Sequence, residues 1–175
     1  MYKLICFQVI LGVDRLDYTK GLVNRFKSFE RLLSDHPEYL GKVMLFQVAV
    51  PSRTDVREYQ ELKEQMDQLV GNINGRFSTA QWSPIRYIYG CLPQSALAGF
   101  YRDADVALIT PLRDGMNLVA KEFVACRTKE PGVLVLSPFA GAGEMMNEVS
   151  FKSLIVMIKT YFEFYFCQGT FSKPV

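Results

Sequence analysis

The run Val43-Met-Leu-Phe-Gln-Val-Ala-Val50 constrains this chain more than any other stretch, because apolar residues stand at both odd and even positions. A strand with one wet face alternates apolar and polar residues. A run without alternation has to be covered on both sides, as a central strand of a parallel sheet is. The surrounding pattern agrees. Strands are expected at Gln8–Val13, Val43–Val50, Ile85–Tyr89, Val106–Thr110 and Val133–Ser137. Between them lie helical patterns. Leu22, Phe26, Phe29 and Leu33 make one apolar stripe of a helix over residues 22–34, which stops near His36-Pro37. Val56, Tyr59, Leu62, Met66, Leu69 and Ile73 make a second stripe, preceded by capping residues in Pro51–Asp55 and followed by a connection over Gly71–Pro84. Gln94–Asp103 is a short third helix. The alternation predicts an α/β fold, a Rossmann-like parallel sheet with helices on both faces and ligand-holding loops at the strand C-termini.

The segment Ile109-Thr-Pro-Leu-Arg-Asp-Gly-Met-Asn-Leu-Val-Ala-Lys-Glu-Phe-Val-Ala-Cys126 reads as strand end, polar turn and helix start. Pro111 cannot continue a ladder and Asp114-Gly115 is turn chemistry. Apolar positions then recur at Leu118, Val119, Phe123 and Cys126. Such a junction aims the free N–H groups of a helix's first turn at whatever lies above the strand, which is an anion site. Gly115 leaves room for a ligand to approach the backbone, and Glu122 can accept bonds from ligand hydroxyls. Two further strand-end loops carry cations. Arg15 and Lys20 bracket Asp17 and Tyr18, and two cations beside a helix start suit a pyrophosphate, unless they pair with Asp14 or Asp17. Arg53 follows a buried strand, where a guanidinium needs a ligand or a carboxylate.

Several chemistries are excluded. A net charge of +2 over 175 residues does not make a nucleic-acid binder. The four cysteines Cys6, Cys91, Cys126 and Cys167 lack metal-ligand spacing and suit a reduced, cytoplasmic thiol set. The single histidine, His36, reads as a surface residue at a helix end, so no Ser/His/Asp or Cys/His set can be assembled. Gly141-Ala-Gly143 lacks the third glycine of a dinucleotide fingerprint, and Asp103-Ala-Asp105-Val106 precedes its strand instead of following it. The start lacks a cleavage site and reads as no targeting signal. Residues Phe151–Phe166 are apolar and aromatic, yet shorter than the ~20 residues of a membrane span and broken by Lys152, Lys159 and Glu163. Leu154–Ile158 could add a sixth strand.

Three segments, Val13-Asp-Arg-Leu-Asp-Tyr-Thr-Lys-Gly-Leu22, Ala49-Val-Pro-Ser-Arg53 and Pro111-Leu-Arg-Asp-Gly-Met-Asn-Leu-Val-Ala-Lys-Glu122, resemble the trehalose-6-phosphate synthases of glycosyltransferase family 20. Ser137-Pro-Phe-Ala-Gly-Ala-Gly-Glu144 also fits, and the resemblance runs from about Gln8 to Glu148. It implies the C-terminal, nucleotide-sugar-binding half of a two-domain GT-B enzyme that transfers glucose from UDP-glucose to glucose 6-phosphate with retention. Carried across, Arg15 and Lys20 hold the pyrophosphate, and with Asp114 they are the catalytic candidates. Leu92 meets the uracil through its backbone. Asp114, Gly115, Met116 and Asn117 contact the donor sugar, Leu118 and Val119 offer backbone N–H groups, and Glu122 binds the ribose. Arg53 faces the acceptor phosphate. No cofactor or metal is implied. The partners are the two sugar substrates, with homo-oligomers or association with a full-length synthase as options and no membrane. The resemblance divides the chain into residues 1–148, the partial nucleotide-sugar domain, and 149–175, a divergent tail. With the preceding domain missing, the chain is expected to be a fragment that keeps the donor site and is inactive by itself. The alternative is a non-catalytic UDP-sugar-binding or regulatory module.

Overall fold

A computed structural model describes residues 7–127 and 132–143. Five strands, β1 (Gln8–Arg15), β2 (Val43–Val50), β3 (Ile85–Tyr89), β4 (Val106–Ile109) and β5 (Val133–Leu136), form one sheet in the order β3-β2-β1-β4-β5. Every pairing is parallel. Strand order reverses between β1 and β4, so the helices that follow these two strands go to opposite faces and leave a crevice at the strands' C-terminal ends.

The helices α1 (Leu22–Asp35), α2 (Arg57–Phe77), α3 (Gln94–Asp103) and α4 (Leu118–Cys126) cover the two faces in pairs. Leu22, Phe26, Phe29 and Leu33 of α1 and Met66 and Ile73 of α2 share one core cluster with Val43, Leu45 and Ala49 of β2. Tyr101 of α3 and Ala120 and Phe123 of α4 share the other with Phe46 and Val48 of the same strand. Alternate residues of β2 thus feed opposite cores, which is why its sequence does not alternate.

Boundaries differ from the sequence reading in instructive ways. β1 continues through Asp14 and Arg15, which pair with Ala49 and Val50. β4 stops at Ile109 and β5 at Leu136, so Thr110 and Ser137 already belong to the loops. The helix α2 does not break at Gly71 but runs on to Phe77. Ile73 is fully buried, and the Asn74 amide bonds both the N–H and the C=O of Ile85, which outweighs the glycine penalty. No side chain in Pro51–Asp55 caps α2: Val56 occupies the cap position, and it is exposed instead of joining the apolar stripe. His36 caps α1 through its backbone amide, which donates to Leu32. The tail over residues 149–175, the sixth strand expected at Leu154–Ile158, and Cys6 and Cys167 lie outside the described residues. No helix among the described residues is long and apolar enough to cross a membrane.

Candidate functional site

The crevice is built from three loops, each docked on the next. After β1, Asp17 caps a single 3-10 turn over Tyr18–Lys20 and accepts from both the amide and the hydroxyl of Thr19. Burial pushes the Asp17 carboxyl upward most strongly, but the Thr19 bonds and the Arg15 and Lys20 charges hold it below the usual value. Gly21 then turns with φ 66, and an added Cβ would meet the carbonyl oxygen of Thr110 at 2.6 Å. The loop therefore lies flat against the end of β4, a position that a side chain would forbid. From the other side, the amides of Leu112 and Arg113 donate to the Thr19 carbonyl.

The turn after β4 rests in turn on the loop after β5. Asp114 N–H donates to Phe139, Gly141 N–H donates to Asp114, and the Ser137 hydroxyl donates to the Pro111 carbonyl. A Cβ on Gly141 would stand 2.1 Å from the Gly115 oxygen. Gly141-Ala-Gly143 is thus a buttress for the Asp114-Gly115 turn. The sequence reading, testing it only as a fingerprint, missed this role; its signal is the absence of a side chain opposite another glycine turn.

Within this frame Lys20 Nζ lies 2.6 Å from Asp114 Oδ2. Neither Asp14 nor Asp17 pairs with Lys20 or Arg15, contrary to the ordinary local ion pair that the sequence allowed. Asp14 is turned inward and held by Arg25 at 2.5 Å. Arg15 is exposed at the end of β1, with no salt bridge among the described residues. Asp114 also accepts from the Asn117 amide at 2.9 Å. Burial favours its neutral form most strongly, yet the Lys20 and Asn117 bonds, the Lys20 charge and the Met116 amide keep its carboxyl below the usual range.

Asn117 has φ 59, and its side-chain oxygen caps α4 by accepting from Ala120 N–H. The amides of Leu118 and Val119 make no hydrogen bond among the described residues and stand at the positive end of α4. Leu118 does not belong to the apolar stripe; its side chain is 60% exposed, and Ala120 and Phe123 carry the burial. Nothing lies within 4 Å of a Cβ built on Gly115, so the space beside that turn is open. Met116 is exposed.

Glu122 is exposed on α4, and one carboxylate oxygen accepts from Tyr101 OH at 3.0 Å. Burial first, then Glu122, raise the Tyr101 pKa, so the phenol stays a donor. Sequence reasoning missed Tyr101, which reads as one aromatic on a short helix. Arg53 pairs with no carboxylate among the described residues. Its Nη1 donates to Tyr59 OH at 3.0 Å, and its backbone has φ 47. Leu92 follows β3, a strand separated from β1 by β2, and its side chain packs on the α3/α4 core. Among the described residues, no three His, Cys, Asp or Glu side chains cluster as a metal site.

The sequence of residues 4–152 matches the family model of glycosyltransferase family 20. The chain belongs to that family. Over 140 residues it is 50% identical to an alpha,alpha-trehalose-phosphate synthase (UDP-forming) of Candida albicans, covering 80% of this chain and 29% of that protein. The fold matches the crystal structure of such a synthase from Burkholderia xenovorans in complex with glucose-6-phosphate, with a TM-score of 0.78 and 49% identity, over 81% of this chain and 31% of the other. It also matches an E. coli structure bound with UDP-2-fluoro glucose, with a TM-score of 0.79 and 37% identity, over 92% of this chain and 41% of the other. The chain spans 19–30% of the length of the curated relatives it matches. Its parallel sheet with paired helices matches part of the family 20 architecture, and the four sequence segments that carried the resemblance, up to Gly143, lie at the C-terminal ends of β1, β2, β4 and β5, in the loops that follow them and in the starts of α1 and α4.

Proposed function

We propose that this chain carries the donor half of a family 20 glucosyltransferase, which moves glucose from UDP-glucose to glucose 6-phosphate with retention of configuration. The observation that carries the reading is the Lys20–Asp114 pair, because it sets a cation and a carboxylate side by side at the mouth of the crevice, next to the free amides of Leu118 and Val119. A nucleoside diphosphate sugar offers a partner for each part. Its diphosphate answers Arg15, Lys20 and the start of α4, its sugar hydroxyls answer Asp114, Asn117 and the open space beside Gly115, and its ribose answers Glu122. Leu92 addresses the uracil through its backbone.

In this mechanism no carboxylate acts as a nucleophile, unlike the paired acids of glycosidases. Arg15 and Lys20 stabilise the charge that develops on the leaving β-phosphate, and the acceptor hydroxyl passes its proton to that phosphate on the same face. Catalysis is then electrostatic and positional. The two cations do the work of a divalent metal, and no cofactor enters the proposal. Arg53 addresses the phosphate of the acceptor.

The test is calorimetric titration of residues 1–175 with UDP and UDP-glucose, with and without EDTA. Saturable binding that EDTA leaves unchanged is expected. Absence of binding up to millimolar concentrations would overturn the donor reading. Release of UDP from UDP-glucose, dependent on glucose 6-phosphate and measured with a longer protein containing this segment, separates a transferase from a binding module.

A further inference from the structure

The surroundings of Arg53 hold more than an arginine at a loop tip. The residue adopts φ 47, a region that a side chain rarely occupies, so something holds it there. Its carbonyl accepts from Val56 N–H, and the Gln60 side chain reaches back to the carbonyl of Thr54. Among the described residues, the guanidinium bonds one side chain, Tyr59, in the first turn of α2. Nη1 donates to the phenol oxygen at 3.0 Å, and Cζ lies 5.6 Å from the ring centroid. Tyr59 is buried, and the ring of Tyr18, from the loop that carries Lys20, meets it edge-on at 6.0 Å.

This choice of partner has a consequence for charge. A carboxylate in the place of the phenol would fix the guanidinium and cancel its charge. A neutral phenol fixes it and cancels nothing, while the other four guanidinium N–H groups have no partner among the described residues and can bind an anion. We propose that Tyr59 is a positioning residue that holds Arg53 ready for a phosphorylated acceptor and, through Tyr18, ties that arginine to the donor loop. The inference rests on the reading of Arg53 as the acceptor-phosphate cation.

The experiment follows the Arg53 side-chain Nε–H resonance in nitrogen-labelled protein 1–175 during titration with glucose 6-phosphate, with glucose as the control. In the parent, glucose 6-phosphate shifts the resonance saturably and glucose does not. Tyr59→Phe keeps the ring and the fold, which the amide spectrum verifies. It should weaken glucose 6-phosphate by about three- to tenfold, as expected for one lost hydrogen bond, and leave UDP affinity unchanged. Equal affinity in Tyr59→Phe and parent, or equal loss for both ligands, would overturn the role of Tyr59 and leave Arg53 standing. A parent that does not respond, or an Arg53→Ala variant whose backbone amide shifts report equal affinity for glucose 6-phosphate, would overturn the reading of Arg53 and this inference with it.

Discussion

Lys20 and Asp114, 94 positions apart in the chain, close a 2.6 Å ion pair across the crevice between the loops that follow β1 and β4. Both side chains are about 15% exposed, so solvent screens the pair less than it screens a surface bridge. The bond keeps the ammonium where a diphosphate would meet it. Lys20→Met is expected to weaken UDP by roughly ten- to a hundredfold, the loss of one charge-assisted contact, measured by calorimetry. The pair also has a pH signature. The Asp114 carboxyl is held below its usual value, so its contribution to stability is present above about pH 4 and is lost as pH falls through the lowered value. Urea midpoints measured from pH 7 to 3 should drop less steeply in Asp114→Asn than in the parent. An unchanged slope would remove the pair from the account.

The glycines on the two sides of the donor turn should behave oppositely. Gly115 faces open space, so Gly115→Val should keep the parent's thermal midpoint while its side chain takes the space of the sugar, and UDP-glucose affinity should fall at least tenfold. Gly141→Ala would press a Cβ against the Gly115 carbonyl, and its cost is expected in both stability and affinity. A Gly115→Val protein that binds UDP-glucose as the parent does would show that the open space is not the sugar site.

Much of this could be seen in the sequence, for identifiable reasons. The Val43–Val50 run announced a strand covered on both faces, and the α1 stripe named the residues that now fill one core. The turn at Asp114–Asn117 was visible because Asp-Gly is turn chemistry, Asn is a good cap and helical spacing begins directly after them. What stayed hidden was pairing at long range. Periodicity around Arg25 says only "helix", whereas the structure buries it completely beneath the crevice. Arg53 read as a cation needing a ligand or a carboxylate, and a local pattern could not show the phenol of Tyr59, six residues on, as its side-chain partner. Leu118 read as core because helical spacing counts positions and does not see the open mouth above them.

Arg25 is tested separately because it joins β1, β2 and the loop after β4. Nη1 donates to Asp14 and to Gln47 Oε1, and Nε donates to Thr110 Oγ1. A Cβ on Gly12 would collide with both Gln47 and Arg25, so the glycine clears the space for the guanidinium. Desolvation raises the Asp14 carboxyl despite the neighbouring Arg25 charge. Arg25→Met would leave that carboxylate buried without its cation, a change that typically costs about 3–5 kcal/mol. Urea unfolding should show the loss, and the double variant with Asp14→Asn should recover part of it. Full additivity of the two single effects would mean that the network does not act as a unit.

The last expectation concerns turnover by residues 1–175 alone. In the proposed reading the described residues offer the donor two cations, two amides without a partner among those residues, Asp114 and Glu122, but offer the acceptor a single charged contact, Arg53. Transfer requires both sugars to be held at reactive distance, and that positioning supplies up to ~7–11 kcal/mol of a barrier. Forfeiting even half of it lowers the rate by roughly three to four decades. UDP binding should survive, since it needs only the groups around the Lys20–Asp114 pair. Calorimetry and a coupled UDP-release assay on the same preparation therefore give separable answers: binding without measurable release is expected. Release at the rate of a full-length synthase would show that Arg53 and the crevice suffice for the acceptor.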